Sequence, residues 1–301
     1  MEDSSFERKN IQSFPKSSIF WILFEIFNFC QGSAMFLTGA AQVVFMVGYP
    51  VSQVQLPALF NARFEQAGAD LALVPLDTAP SALEALLSMV HTTSNCLGLV
   101  LTAPHKQAAA RMATTLTSRA RRIGAVNVLR KTEQGLEGDM FDGDGFWNGA
   151  RLNGFDPMGR SLALVGAGAA ARAIALEFIH RGGRSIVFRT TDASERAGML
   201  AMCAESSPWT PDQALDDVDI VVNATPIGMQ HAPGLAVDAH DLKQLRADVW
   251  VADLVTQPME TPLLRAAADL GMRTLNGAST ALGQLGSVAS FLRIDIGTEA
   301  V

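Results

Sequence analysis

A glycine turn between an apolar run and an alanine-rich run is the clearest chemical feature of the sequence. Residues 162–173 read LALVGAGAAARA. A buried strand that enters a helix through such a turn exposes backbone N–H groups and the helix N-terminus to a pyrophosphate without side-chain obstruction. The alternative is a tight strand-to-helix turn that binds nothing. The predicted cofactor contacts of this turn are Gly166, Ala167, Gly168, Ala169 and Ala170.

The residues after the next apolar run indicate which dinucleotide would bind. That run ends at Phe188, where an NAD enzyme usually carries an Asp or Glu that holds the ribose 2'-hydroxyl. Here Arg189 and Thr190 follow instead, and a guanidinium can pair with a 2'-phosphate. The sequence therefore favours NADP, with NAD as the other possibility. Arg189 could also be a solvated surface residue paired with Asp192.

The elements that must position these residues follow a βαβ pattern. From Val43 onward, short β-branched apolar runs alternate with Ala- and Leu-rich stretches of helical spacing, which is typical of a parallel sheet covered by helices. The predicted strands are VVFMVG, LALVPL and LGLVLT, then, after a polar hairpin RKTEQGLEGD, SLALVG, SIVFR, DIVVNAT and VWVADLV. The fold class predicted is α/β, with two α/β domains and a cleft between them.

Helical spacing and an initial proline predict two helices in the first series, PALFNARFEQAG and PSALEALLSMV. The domain boundary is expected between Phe141 and Gly159. The segment there is rich in Gly, Asp and Asn and breaks both periodicities, so it is predicted to be an interdomain turn.

Composition narrows the class of partner. The chain has 301 residues, 49% of them hydrophobic and 18% charged, which suits two globular domains. A formal net charge of −7 argues against nucleic acid and anionic membranes, since both attract a basic face, so a small-molecule ligand fits better. The three cysteines lack the spacing of a metal site and the density of a secreted disulfide scaffold. We therefore expect no metal and a cytoplasmic location.

The first 34 residues differ from the rest. Ile19 to Cys30 is apolar and aromatic, but it is too short to span a bilayer, contains Glu25 and lacks a small-residue cleavage site. Residues 1–34 are therefore expected to be an N-terminal extension outside the core and not a membrane anchor.

Several further motifs occur in one consistent order. They are GLVLTAPHK with Lys106, GAVNVL with Asn127, GDMFDGDG with Asp142, the glycine turn, NATPIGM at 223–229, ADLVTQPMETPLL at 252–264 and NGASTALGQ at 276–284. In this series the chain resembles the shikimate dehydrogenase family over nearly all of its length after Met35. The resemblance implies an NADP-dependent oxidoreductase of aromatic amino acid biosynthesis, acting on a cyclic secondary alcohol in the interdomain cleft.

The resemblance also implies a domain plan. A substrate-binding domain would comprise residues 35–141 and regain the C-terminal helix within 277–301. A Rossmann NADP-binding domain would comprise residues 142–276. The protein would be a monomer or a homodimer.

The resemblance assigns Lys106 and Asp142 as the catalytic pair. Oxidation of an alcohol to a ketone removes a hydride and a hydroxyl proton, so an acid/base group must contact that oxygen. Lys106 would be the acid/base, and Asp142 would hold the same hydroxyl and orient the ammonium. His105 is interpreted as a packing or rim residue. The remaining implied substrate contacts are Thr102, Asn127, Gln284, Val54, Leu56 and Thr256, and the remaining cofactor contacts are Arg189, Thr190, Thr225, Leu254 and Gly277.

The substrate loop departs from the family pattern, which reads like GNPIxHSxSP and binds the substrate carboxylate through two serines. Here Gly48, Pro50 and Pro57 keep the spacing, but the serine positions are Val54 and Leu56. Val100 replaces an asparagine and Thr256 a tyrosine of the family pattern. Loss of the hydroxyls leaves a carboxylate less well paired, which weakens its binding.

Three interpretations remain open. The chain is a divergent member that oxidises a related cyclic alcohol and handles shikimate or quinate poorly. Alternatively, it is an authentic shikimate or quinate dehydrogenase whose carboxylate is held by Gln53, Gln55 or Tyr49. In the third interpretation it is a non-catalytic, nucleotide-binding regulatory or structural protein, against which the retention of Lys106 and Asp142 argues.

Overall fold

A computed structural model describes residues 37–210, 215 and 217–297. The predicted extension, residues 1–34, lies outside the described residues, as do the last four residues of the predicted C-terminal segment. Within the described ranges, no helix has the length and apolar character needed to cross a membrane.

The N-terminal half is built on a six-stranded sheet with the order β2-β1-β3-β5-β6-β4. The strands are β1 (Gln42–Gly48), β2 (Leu71–Asp77), β3 (Cys96–Leu101), β4 (Thr115–Leu116), β5 (Val128–Thr132) and β6 (Gly135–Asp139). β1 pairs in parallel with β2 and β3, as predicted, whereas β5 pairs antiparallel with β3 and β6. The hairpin predicted from the sequence thus adds two antiparallel strands to the parallel strands β1, β2 and β3.

Four helices accompany this sheet. They are α1 (Leu56–Gln66), α2 (Leu83–Thr92), α3 (Lys106–Met112) and α4 (Ser118–Ile123), and a 3-10 turn at Pro80–Ala82 precedes α2. Both proline-initiated helices predicted from the sequence are present. Thr117 caps α4 by accepting a hydrogen bond from the Ala120 N–H, and Gly124 ends the helix with a left-handed φ of 72°.

The C-terminal half is built on a wholly parallel sheet with the order β12-β11-β10-β7-β8-β9. Its strands are β7 (Ser161–Val165), β8 (Ser185–Arg189), β9 (Ser206–Pro208), β10 (Ile220–Asn223), β11 (Trp250–Asp253) and β12 (Arg273–Leu275). The helices are α5 (Asp142–Leu152), α6 (Ala169–His180), α7 (Ala193–Met202), α8 (Ala239–Gln244), α9 (Pro262–Asp269) and α10 (Gly277–Leu292). The four strands predicted for this half are confirmed, and β9 and β12 were not predicted.

The segment predicted as an interdomain turn is instead the helix α5, and Asp142 is its first residue. The glycines that break the helical pattern are packing positions. A Cβ on Gly143 would lie 2.2 Å from the Ala173 carbonyl oxygen of α6, and a Cβ on Gly149 would lie 2.2 Å from the Ser279 carbonyl oxygen of α10. The turn prediction was wrong because tertiary packing overrides the low helix propensity of glycine.

Aromatic packing and polar contacts fix α5 further. Trp147 is fully buried and donates a hydrogen bond from Nε1 to the Ile174 carbonyl oxygen of α6, at 2.9 Å. Its ring lies 5.1 Å from the ring of Phe178. Asn148 donates to the Gly283 carbonyl oxygen of α10, at 3.1 Å. Helix α5 is thus held on two sides, by the next helix α6 and by α10 from the end of the sequence.

A buried carboxylate links the ends of β10 and β11. Asp253 accepts hydrogen bonds from Asn223 Nδ2 at 3.0 Å, the Val255 N–H at 3.0 Å and Thr261 Oγ1 at 2.7 Å. Burial raises the pKa of Asp253 to about 6, and these hydrogen bonds only partly oppose that rise.

The close contact of α5 with α10 predicts a destabilising substitution. Gly149→Ala should lower the free energy of unfolding by about 2–3 kcal/mol, because the added methyl group would overlap the Ser279 carbonyl oxygen. Chemical denaturation measures this change. Gly286→Ala is the matched control, since Gly286 is an exposed residue of α10 with open space at its Cβ position, and alanine there should be neutral or slightly stabilising. Equal stability of the two variants would contradict the packing argument.

Asp253 predicts a pH effect on stability. Its folded pKa lies above its unfolded value of 3.8, so the stability it contributes is fully present below that pH and is lost as the pH rises to about 6. Asp253→Asn mimics the neutral form. Relative to the parent chain, the variant should therefore gain about 2 kcal/mol between pH 4 and pH 7. Denaturation at both pH values measures the gain, and Asp269→Asn, at an exposed position, should show none. A gain in stability that is the same at both pH values would show that the raised pKa of Asp253 does not cause it.

Candidate active site

The predicted catalytic pair meets at the starts of two helices. Lys106 begins α3, the helix that follows β3, and Asp142 begins α5, the helix that follows β6. Lys106 Nζ lies 2.5 Å from Asp142 Oδ2, and the two side chains are 17% and 8% exposed. The pair is largely shielded from solvent, and the Lys106 side chain still lines the cleft in which a ligand would lie.

Two amide side chains complete the surroundings of Asp142. Asn127 Nδ2 donates to Asp142 Oδ1 at 2.8 Å, and its Oδ1 accepts from the Phe141 N–H at 2.8 Å. Gln284 of α10 donates from Nε2 to the same carboxylate oxygen at 3.3 Å. One carboxylate oxygen of Asp142 therefore accepts hydrogen bonds from the two amides, and the other pairs with the Lys106 ammonium. This network, Lys106, Asp142, Asn127 and Gln284, brings together residues from four separate motifs.

The network lies in a cleft of about 260 Å³. All the substrate contacts implied by the sequence line it: Val54, Leu56, Thr102, Lys106, Asn127, Asp142, Thr256 and Gln284. Val54 is partly buried, and Leu56 is the buried first residue of α1. Thr256, which follows β11, donates from Oγ1 to the Gln53 carbonyl oxygen at 3.1 Å. This bond joins the substrate loop to the C-terminal half across the cleft.

The glycine turn has the geometry that a pyrophosphate requires. Gly166 has a φ of +106°, and Gly168 precedes α6 with no side chain capping the helix, which leaves the first N–H groups available. The carboxyl ends of β7, β8 and β10 meet here: the Gly166 N–H donates to the Arg189 carbonyl oxygen at 2.8 Å, and Thr225 packs against the turn. This arrangement fits a dinucleotide.

The remaining predicted cofactor residues divide into two groups. Ala170, Leu254 and Gly277 line the cleft next to the network. A Cβ on Gly277 would lie 2.6 Å from the Val255 carbonyl oxygen, so only glycine fits at the start of α10. The residues Gly166, Ala167, Gly168, Ala169, Arg189, Thr190 and Thr225 lie outside the lining of the cleft, along the edge formed by the strand ends.

Arg189 is neither a fully solvated residue nor a partner of Asp192. Its guanidinium lies 4.5 Å from the centre of the Trp209 ring, and Nη1 lies 3.5 Å from Asp241 Oδ2. Asp192 instead caps α7 by accepting from the Glu195 N–H at 2.9 Å. The alternative proposed for Arg189 from the sequence is therefore incorrect.

Several cleft residues escaped the sequence analysis. Met46, Met229, His231 and Thr280 line the cleft. Met229 and Thr280 lie within recognised motifs, whereas no pattern indicates His231. His105 is buried, and its Nε2 lies 2.8 Å from the Thr78 carbonyl oxygen, so it is a packing residue.

Comparisons with known proteins agree with this arrangement. A model of the shikimate dehydrogenase substrate binding domain matches residues 46–129. A shikimate dehydrogenase (NADP(+)) of Acidiphilium cryptum is 36% identical over 253 residues, which cover 83% of this chain and 90% of that protein. A shikimate dehydrogenase solved in complex with NADP+ is 26% identical, with a TM-score of 0.77 over 85% of this chain and 91% of its own.

A third similar protein is named for a different substrate. The ligand-free 5-ketofructose reductase of a Gluconobacter strain is 28% identical, with a TM-score of 0.73 over 85% of this chain and 95% of its own. The identity to the curated relative extends far beyond the matched substrate-binding segment and covers both sheets. On this evidence the chain belongs to the shikimate dehydrogenase family.

Proposed function

We propose that the protein transfers a hydride between NADP and a cyclic secondary alcohol or its ketone, with Lys106 and Asp142 at the reacting oxygen. The family membership makes it an NADP-dependent oxidoreductase that acts on a CH–OH group. The observation that carries the proposal is the shielded ion pair at 2.5 Å, held by two amides at the floor of the cleft. This ion pair also argues against a non-catalytic role.

The pair supports proton transfer at a ligand oxygen. In ketone reduction, the Lys106 ammonium donates a proton to the carbonyl oxygen, while Asp142 accepts a hydrogen bond from the hydroxyl that forms. In alcohol oxidation, the proton passes back from the hydroxyl to the Lys106 amine. Asn127 and Gln284 hold Asp142 in place through its other oxygen. The nicotinamide, when bound, supplies or accepts the hydride.

The cleft favours a substrate without a carboxylate. Among the described residues that line it, the basic side chains are Lys106 and His231, and Lys106 is already paired with Asp142. Val54 and Leu56 present aliphatic surface where the family pattern has hydroxyls. A carboxylate placed there would lose hydration without gaining matching donors. The similarity to a 5-ketofructose reductase supports an uncharged substrate.

An authentic shikimate or quinate dehydrogenase is the second candidate, and Tyr49 favours it. Tyr49 lines the cleft and is 55% exposed, so its side chain is accessible to a ligand. Gln53 is a weaker donor, because its Nε2 already donates to the Pro50 carbonyl oxygen at 3.0 Å. Steady-state assays with shikimate, quinate and neutral cyclic alcohols, each with NADP and NAD, separate the candidates. Turnover of none of them would overturn the proposal.

We assign substrate binding to residues 35–141 with the C-terminal helix, and NADP binding to residues 142–276. The glycine turn and the strand ends around it support this division. We place the protein in the cytoplasm, an assignment that agrees with the buried free cysteines Cys96 and Cys203. Assembly as a monomer or a homodimer stays a prediction.

The role of Lys106 predicts a loss of turnover. Lys106→Ala should lower kcat by roughly a hundredfold to ten-thousandfold, the usual contribution of a positioned acid/base. NADP affinity should hardly change, because the phosphates would lie on the glycine turn, away from α3. Arg111→Ala, an exposed change in the last turn of the same helix, is the matched control and should retain turnover.

Asp142→Asn tests whether the two residues act as a unit. It should also lower kcat, and the double variant should lose less than the sum of the single losses, because groups that act together cannot be removed twice. Steady-state and single-turnover kinetics measure these effects. Strict additivity, or a Lys106→Ala enzyme with most of its turnover, would contradict the assignment.

The substrate loop predicts a gain for a carboxylate substrate. Replacing Val54 and Leu56 by serine should lower the KM for shikimate by about tenfold, because two hydroxyl donors would return to the cleft. The KM for a neutral cyclic alcohol should not fall. The double alanine variant at the same positions is the control, since it opens the cleft without adding hydroxyls. If shikimate gains equally from alanine, space rather than hydrogen bonding controls its binding.

A further inference from the structure

The carboxylate of Glu195 lies close to the end of β8, although no acidic residue follows that strand directly in the sequence. No acidic residue stands at the end of β8, where a ribose-binding acid is usual. The structure brings Glu195 there from the first turn of α7. Its Oε2 lies 3.3 Å from Thr190 Oγ1, and its Oε1 lies 3.3 Å from the point where a Cβ on Gly168 would stand. The carboxylate thus spans the gap between the end of β8 and the glycine turn.

The start of α7 fixes this position. Asp192 caps the helix by accepting from the Glu195 N–H at 2.9 Å, so Glu195 occupies the third helical position and turns back toward Thr190. Glu195 is partly buried, and it takes part in no ion pair among the residues that the structure describes. Its charge therefore remains available to a ligand that enters between β8 and α6.

Arg189, which precedes Thr190, already interacts with other residues of the protein. Nη1 of Arg189 lies 3.5 Å from Asp241 Oδ2 and 3.9 Å from Asp238 Oδ2, and its guanidinium covers the ring of Trp209. Two carboxylates thus offset the charge that a 2'-phosphate would seek. A free carboxylate beside it accepts hydrogen bonds from ribose hydroxyls but repels a phosphate.

We propose that Glu195 binds the adenosine ribose of NAD and opposes the 2'-phosphate of NADP, so that the protein uses both cofactors. The inference rests on the nucleotide site of the proposed function and goes beyond its preference for NADP. Glu195 is then a specificity-determining residue supplied by α7 instead of by the end of β8. Arg189 favours NADP in the same site, and the balance between the two residues sets the selectivity.

Equilibrium titration of the purified full chain with NAD and with NADP, without substrate, tests this proposal. The parent protein should bind both, with Kd values within about tenfold of each other. Glu195→Gln should strengthen NADP binding by about fivefold or more and weaken NAD binding by a similar factor, because it removes the charge and keeps the shape. Arg189→Ala should move the ratio the opposite way.

Glu205→Gln is the matched control. Glu205 precedes β9, at the amino ends of the parallel strands, whereas the glycine turn lies at their carboxyl ends, so the same change of charge there should alter neither Kd. Equal changes of both affinities in Glu195→Gln would show a structural role and overturn the proposal, as would no change. Failure of the parent chain to bind either cofactor would instead refute the proposed function.

Discussion

The lack of a side chain at Gly143 and Gly149, where α5 meets its neighbouring helices, is the constraint on which the site depends. A Cβ on Gly149 would overlap α10, and one on Gly143 would overlap α6, so these backbones lie in direct contact. Because α5 begins at Asp142, this packing places the carboxylate that we propose to be catalytic relative to both halves of the protein. Gln284 reaches that carboxylate from α10 for the same reason. The end of the cleft that contains Asp142 is therefore fixed by the packing of helices and not by loops.

Charge at that end is balanced before any ligand binds. Lys106 faces one oxygen of Asp142, and two amides face the other, so the pair needs no further partner to remain buried. Because the Lys106 ammonium is paired with Asp142, it is poorly placed to bind a substrate carboxylate at the other end of the cleft. In the reaction that we propose, proton transfer and the binding of a substrate carboxylate would need different groups, and the side chains at the second place, Val54 and Leu56, are aliphatic.

Elements that depend on local periodicity can be predicted from the sequence, whereas elements whose conformation depends on tertiary packing cannot. The glycine turn, the βαβ strands and the pair of Lys106 and Asp142 follow from short-range patterns or from motif order. Helix α5 does not, because glycine is a poor helix former and its role becomes visible only against α6 and α10. The position of Glu195 escapes for a related reason. The usual position for a ribose-binding acid is the end of β8, whereas Glu195 lies several residues further on, in the first turn of α7 that Asp192 caps.

The residues at the end of the cleft formed by Val54 and Leu56 can therefore be substituted without disturbing the network around Asp142. Asp142, Asn127 and Gln284 are bound to one another and to tightly packed helices, so a substitution among them would disturb both the packing and the chemistry. Val54 lies on a loop and Leu56 at the start of α1, and Thr256 meets the loop through a backbone carbonyl oxygen that any residue supplies. Substitution there alters the surface that faces the ligand and leaves the network intact. Divergence in substrate with retention of the reaction is the outcome that this distribution of constraints permits.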